Sequence, residues 1–309
     1  KAREGDVATA RLVSAVASVL LAVLLLTVVL GVAGAPVLVW IMASGLAELD
    51  EAVWMTRLMF PYIGFMALVA LAAGVLNTYG RFAAPAATPV LLNLSVITAA
   101  VWGGPYMSRF GLHPIYALCL GVMVGGVLQL ALQWPFLRRV GMAPRFAITP
   151  AGLKQAWQHP GVSRVLQQMA PAVLGVSVAQ ISLLINTLIA SYQGPGAISW
   201  LTYADRLMEF PTALLGVALS VVLLPQLSAA QAQGQTQRYA DLLDWGLRLV
   251  VLLALPCAVA LLLFAQPLVA VLFHYGAFSD ADVLRTQGAL MGYGVGLRSE
   301  ERRVGKECL

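Results

Sequence analysis

Long apolar runs, nearly free of charge, cover most of this chain, at about 12–34, 58–79, 86–108, 114–137, 165–192, 197–226 and 246–264, with a shorter run from about 284. A bilayer core about 30 Å thick takes about 20 helical residues to cross, and each complete run has that length. Backbone in lipid has no water to bond, so a crossing segment must satisfy its own N–H and C=O groups. These runs therefore predict an all-α, polytopic membrane helix bundle. Composition agrees: 60% of residues are hydrophobic and 11% are charged, against about 25% charged in soluble domains. Breaks fall at Asn77–Gly80 with Pro85, at His113-Pro114 and at Gln193–Gly196, all turn chemistry. Prolines 61, 89, 171, 211, 225 and 256 fall inside spans and predict kinks that neighbouring groups must relieve.

Loop charges give an orientation. The N-terminal side carries Lys1, Arg3, Arg11, Arg81, Arg138, Arg139, Arg145, Lys154, Arg164, Arg238 and Arg248, and the other side only Arg57, Arg109 and Arg285. Basic short loops stay cytoplasmic, so the N-terminal side is expected inside the cell. Two segments read as non-spanning. Residues 139–163 form a basic amphipathic linker with Phe146, Leu153 and Trp157, expected on the inner leaflet beside anionic membrane lipids. It is either a joint between two halves or an ordinary loop. Residues 228–245 read as a polar connection leading into another interfacial helix.

No carboxylate occurs between Glu51 and Asp205; then Tyr203-Ala-Asp-Arg-Leu-Met-Glu-Phe-Pro211 places three charges in five residues inside a predicted span. Each intramembrane charge costs about 2.5–3.5 kcal/mol on insertion scales and usually faces a bundle interior or wet cavity. Counted from Ala197, residues 205–209 lie about 12–18 Å into the helix, near the bilayer midplane, where two-lobed transporters hold substrate. Ser199, Thr202 or Tyr203, Arg206 and Glu209 recur at helical steps of three and four, forming one polar stripe. Arg206 stays charged when desolvated and its planar fork suits phosphate. Asp205, Arg206, Glu209 and Ser199 are thus candidate substrate-binding residues, with Tyr203, Asn186 and Asn77 possible cavity-lining groups and Asn93 a further polar position. The competing interpretation is a self-paired Arg206–Glu209 knot that only pins helices.

Other chemistry is poorly represented. The net charge of +5 is scattered over helix ends, without the basic and aromatic patch of a nucleic-acid interface. Cys119, Cys257 and Cys308 suggest neither disulfides nor zinc, and His113, His159 and His274 lie near loops. No phosphate loop, metal motif or nucleophilic triad is apparent, so neither an enzyme nor a cofactor is expected. The chain starts at Lys1 without Met, and residues 298–309 hold seven charges in twelve residues after an apolar run of only 12. That tail reads as foreign adapter-like sequence, with a native polar tail as the alternative.

The runs Phe60-Pro-Tyr62, Leu76-Asn-Thr-Tyr-Gly-Arg-Phe82, Thr88-Pro-Val-Leu-Leu-Asn93, Gln167-Gln-Met-Ala-Pro171, Gly175-Val-Ser177, Gln180-Ile181, Tyr203–Pro211, Gly216-Val-Ala-Leu219, Asp244-Trp-Gly-Leu-Arg248 and Tyr275-Gly276 together resemble the MurJ (MviN-type) family of lipid II flippases. The resemblance covers residues 1–297 in order. It implies a two-lobed fold of the multidrug/oligosaccharidyl-lipid/polysaccharide exporter type with fourteen helices, of which this chain would run from the third into the tenth, truncated at both ends. On that basis 1–138 would be the remainder of the N-terminal lobe, 139–163 the cytoplasmic linker and 164–297 the start of the C-terminal lobe. It further implies a bacterial inner-membrane protein that moves the undecaprenyl-diphosphate-linked muropeptide, lipid II, from the inner to the outer leaflet by alternating access. Arg206 would match the family's cavity arginine in the second lobe. Cell-wall synthesis proteins would be possible partners. Alternatives are an exporter of another polyprenyl-diphosphate oligosaccharide or of drugs, and a non-transporting scaffold for cell-wall synthesis.

Overall fold

The computed structural model describes the backbone of residues 2–147 and 149–307, and their side chains apart from 2–4, 6, 178–179, 212, 214–222, 224 and 294–307. Outside the described side chains lie Lys1 and Arg3 of the charge count, the Gly216–Leu219 motif and the tail 298–309. The regular structure of the described residues is all helical, without a strand. In chain order the helices are α1 (Ala2–Ala33), α2 (Ala35–Ala43), α3 (Leu49–Met59), α4 (Tyr62–Thr78), α5 (Ala83–Thr98), a π-turn (Ala99–Gly103) and α6 (Gly104–Arg109). Then follow α7 (Ile115–Arg139), α8 (Pro150–Trp157), α9 (Pro160–Ser191), α10 (Ala197–Ala232), α11 (Thr236–Leu263), α12 (Ala265–Phe273) and α13 (Asp280–Glu307).

Among the described residues six stretches are long and apolar enough to cross a membrane: Val7–Ala33, Leu49–Thr78, Ala83–Arg109, Ile115–Arg139, Pro160–Ser191 and Thr236–Leu263. They coincide with six of the seven complete runs read from sequence. The seventh run, 197–226, is helical as α10, but much of its apolar centre lies outside the described side chains. The separate interfacial helix expected over 228–245 does not form. α10 continues to Ala232 and α11 starts at Thr236, with a turn at Gly234 (φ +66°) between them. Good helix formers on either side of that one glycine let both helices extend beyond the membrane-length run.

Residues 1–188 and 189–309 form two compact units. In the first, α7 is the central helix, packed on α5 and α4. Gly121 and Gly125 make the approach to α5 possible: a Cβ on Gly121 would sit 2.6 Å from Ala99 Cβ, and one on Gly125 would sit 2.7 Å from Leu92 Cδ1. This is small-xxx-small packing, in which absent side chains let helix backbones meet. Kinks are relieved locally. Pro89 cannot bond the Pro85 carbonyl, and the buried Thr88 hydroxyl donates to that oxygen at 2.8 Å instead, a substitution typical of membrane helices. Pro105 likewise lacks the N–H for the preceding turn, and the π-turn ahead of it closes through Gly104 N–H to Ala99 O.

The basic linker is tied to α1. The Arg145 and Ala147 amides donate to Ser14 and Ser18 hydroxyls at 3.1 and 2.9 Å. Phe146 stacks on Trp134 with ring centres 6.4 Å apart. Thr149 caps α8 by accepting from Gly152 N–H, and α8 buries Ala156 against Ala15, Val19 and Val162. Trp157 remains exposed. In the second unit, Ala204 and Met208 of α10 pack with Leu261, Ala265, Val269, Val283 and Leu290 of α11, α12 and α13.

Candidate functional site

The packing of α10 fixes which way the charged cluster points. Ala197, Ala204 and Met208 are buried at helical spacing, so one side of α10 faces its own unit's core. Successive residues turn by about 100°, which puts Ser199, Thr202, Arg206 and Glu209 around the opposite side; all four are exposed. The stripe read from sequence is therefore an outward-facing polar strip on a helix whose other face is core.

Within it, Arg206 Nη1 donates to Glu209 Oε2 at 3.0 Å, with the two side chains 70% and 64% exposed. In water such a pair contributes little; in a low-dielectric, partly wet cavity it lowers the cost of holding both charges. One carboxylate oxygen engages one guanidinium nitrogen, so the remaining arginine donors stay available for an anion. Asp205 lies on the flank of the strip, exposed, and forms no ion pair among the described residues. The Thr202 hydroxyl is turned back to Ile198 O at 2.7 Å. Tyr203, on the other flank, packs its ring against Phe273 and Phe278 with centroids 4.7 and 5.6 Å away. That aromatic group anchors α10 to the α12–α13 connection.

Asn77 and Asn93 are exposed on α4 and α5, and Asn186 is exposed on α9, all within the first unit. The structure brings Ser199, Tyr203, Asp205, Arg206 and Glu209 together along one helix. His113 and His159 serve the backbone: their Nδ1 atoms accept from Ile115 and Gly161 amides at 3.4 and 3.1 Å. Cys119 and Cys257 are free thiols.

One polar cluster escaped the sequence reading. At the loop end of α13, Asp282 accepts from Trp200 Nε1 (2.8 Å), Ser279 N–H (2.8 Å) and Ser279 Oγ (2.6 Å). These donors hold the Asp282 carboxyl below its ordinary value, the Ser279 hydroxyl contributing most. Arg285 lies over the Trp200 ring at 5.6 Å. The cluster joins the start of α10, three residues before Tyr203, to the start of α13. Ser279-Asp-Ala-Asp282 has the spacing of a capping box, which could have revealed the cap but not its Trp200 partner.

The sequence profile described as "Lipid II flippase MurJ" matches residues 1–299. The "Lipid II flippase MurJ" of Burkholderia cenocepacia is 52% identical over 301 residues, covering 96% of this chain and 57% of that protein. A "Probable lipid II flippase MurJ" of Buchnera aphidicola from Acyrthosiphon pisum is 42% identical over 245 residues, covering 79% of this chain and 45% of that protein. Among solved structures, "Lipid II flippase MurJ, inward closed conformation" aligns with a TM-score of 0.75 at 22% identity over 93% of this chain and 57% of that one. That likeness shows the shared exporter-type helical fold. This chain spans about half the length of those relatives. A multi-pass membrane protein whose sequence matches the profile over almost its whole length, it belongs to the lipid II flippase MurJ family.

Proposed function

We propose that this chain forms part of a lipid II flippase of the bacterial inner membrane, carrying the diphosphate-linked muropeptide from the inner to the outer leaflet by alternating access. The observation that carries this reading is the outward-facing strip on α10, where Arg206 is exposed and, among the described residues, pairs with one acceptor, Glu209 at 3.0 Å. The guanidinium would bind the substrate diphosphate and Glu209 would keep its charge tolerable between cycles. Ser199 and Asp205 would line the same path, with Tyr203, Asn186 and Asn77 as further cavity groups. The role is transport rather than catalysis, with the N-terminal side cytoplasmic. Residues 1–138 would belong to the first lobe, 139–163 to the connecting linker and 164–297 to the second lobe. Cell-wall synthesis proteins would be partners of the whole assembly.

The test separates charge position from charge pairing in the full-length protein. Arg206→Glu with Glu209→Arg keeps the pair and net charge but moves the cation by roughly one turn, about 5 Å. Normal protein level with little lipid II reaching the outer leaflet is the expected result. Full transport by the swapped protein would reduce the pair to a structural knot. Arg206→Lys, which keeps charge without the fork, is expected to insert normally and transport slowly.

A further inference from the structure

The strongest unassigned feature is a cleft of about 950 Å³ in the first unit, bounded by α1, the end of α7, the linker and α8. Three arginines from three different segments line it: Arg11 of α1, Arg138 of α7 and Arg145 of the linker. No Asp or Glu occurs among its lining residues, and none of the three arginines forms a salt bridge among the described residues. Three guanidinium groups around one concavity, without a paired carboxylate among the described residues, repel one another, an arrangement stabilised by a bound anion.

The cleft is constructed rather than a chance crowding of basic side chains. The Ser14 and Ser18 bonds to the linker amides hold the Arg145 backbone against α1, about one turn from Arg11 in the chain. Gly161 lets the chain entering α9 close against α1: a Cβ there would lie 2.3 Å from Leu12 Cδ1. Arg138 lies over Trp134, another lining residue, at 5.9 Å from the ring centre. His159 also lines the cleft, and Gly161 N–H occupies its Nδ1, which leaves Nε2 as the nitrogen that carries the proton and can donate.

We infer that this cleft binds a phosphate-bearing anion at the membrane face, and that the headgroup of an anionic phospholipid is its occupant. Planar guanidinium forks match phosphate oxygens in pairs. Exposed apolar side chains flank the charged groups as a lipid surface requires: Val7 lines the cleft, and Trp157 of α8 directly follows the lining residue Ala156. A bound headgroup would bridge α1, α7 and the linker, fixing the linker on this unit. The inference rests on the cleft alone and holds whether or not Arg206 carries substrate.

The test is calorimetric titration of the full-length protein in detergent with dihexanoyl phosphatidylglycerol, dihexanoyl phosphatidylcholine and inorganic pyrophosphate. One saturable site is expected, with phosphatidylglycerol at least tenfold tighter than phosphatidylcholine. Arg11→Gln with Arg145→Gln is expected to weaken phosphatidylglycerol tenfold or more, and Arg81→Gln with Arg109→Gln, equal in charge removed, to leave it unchanged. Arg11→Lys with Arg145→Lys, which conserves charge and solubility, is expected to fall between. Competition by pyrophosphate that is weaker than the lipid identifies the headgroup as the ligand; tighter competition keeps the phosphate site but assigns it to a free diphosphate. Equal binding of the two lipids, equal losses in the two glutamine variants, or wild-type binding by the cleft variant would overturn the inference.

Discussion

The α5–α7 interface allows a sharp test of how the first unit is held together. Gly121→Ala adds one methyl whose carbon would lie 2.6 Å from Ala99 Cβ, 3.1 Å from Ser95 O and 3.3 Å from Val96 Cα. Carbon atoms settle at about 3.5–4.0 Å, so the helices must separate locally by roughly 1 Å. Two of the three obstacles are backbone atoms, which no side-chain rotation relieves. Overpacking of this kind costs about 1–3 kcal/mol, partly offset by roughly 0.5–1 kcal/mol from replacing a helical glycine with alanine. Gly74→Ala in α4 is the control, because its Cβ would meet nothing within 4 Å; it gains the propensity without the clash. Unfolding in mixed micelles, followed by steric trapping, should show Gly121→Ala less stable than wild type and Gly74→Ala equal or more stable. Adding Ala99→Gly should recover part of the loss by removing the 2.6 Å contact, while the Ser95 carbonyl keeps the recovery incomplete. If Gly121→Ala and Gly74→Ala are equally stable, close approach at Gly121 is not what seats α7 on α5.

Thr88→Val preserves shape but removes the donor to the Pro85 carbonyl; an orphaned buried acceptor costs about 1–3 kcal/mol, to be read by the same unfolding assay, with Thr88→Ser retaining most of the stability. Thr149→Ala removes the α8 cap and should cost about 1 kcal/mol locally, visible as faster amide exchange over residues 150–157. Asp282→Ala should lower the thermal midpoint of the second unit at neutral pH. Because the folded carboxyl is held below its ordinary value of 3.8, its stabilisation is complete above that value and is lost as pH falls through the depressed one. The difference between wild type and Asp282→Ala should therefore be flat from about pH 5 to 8 and shrink only in stronger acid. For topology, single cysteines at Leu112 and Gln193 in a cysteine-free background should react with an impermeant thiol reagent from outside, and those at Gln158 and Gln235 should not. These sites avoid Gly111 and Gly141, whose φ angles of +69° and +73° a cysteine would strain.

The membrane-length helices were legible in the chain, though not their exact ends, because lipid leaves the backbone no alternative to self-satisfaction. An apolar run of span length bounded by Arg, Pro or Gly has one solution, as 114–137 and α7 (Ile115–Arg139) show. The Arg206 stripe was legible for the same reason: helical spacing alone puts Ser199, Arg206 and Glu209 on one face. Which direction that face points was not, since it depends on Ala204 and Met208 finding partners in α11–α13. The linker shows the same boundary. Its basic, amphipathic character was plain, yet its attachment to Ser14 and Ser18, about 130 residues earlier, and the cleft formed with Arg11 and Arg138 arise only when distant segments meet. Trp200 and Asp282, 82 residues apart, are another such pair. Local sequence determines what a membrane helix is, because the solvent imposes it; which polar groups meet between helices is decided by packing, because small residues such as Gly121 set how closely, and at which register, two apolar helices approach.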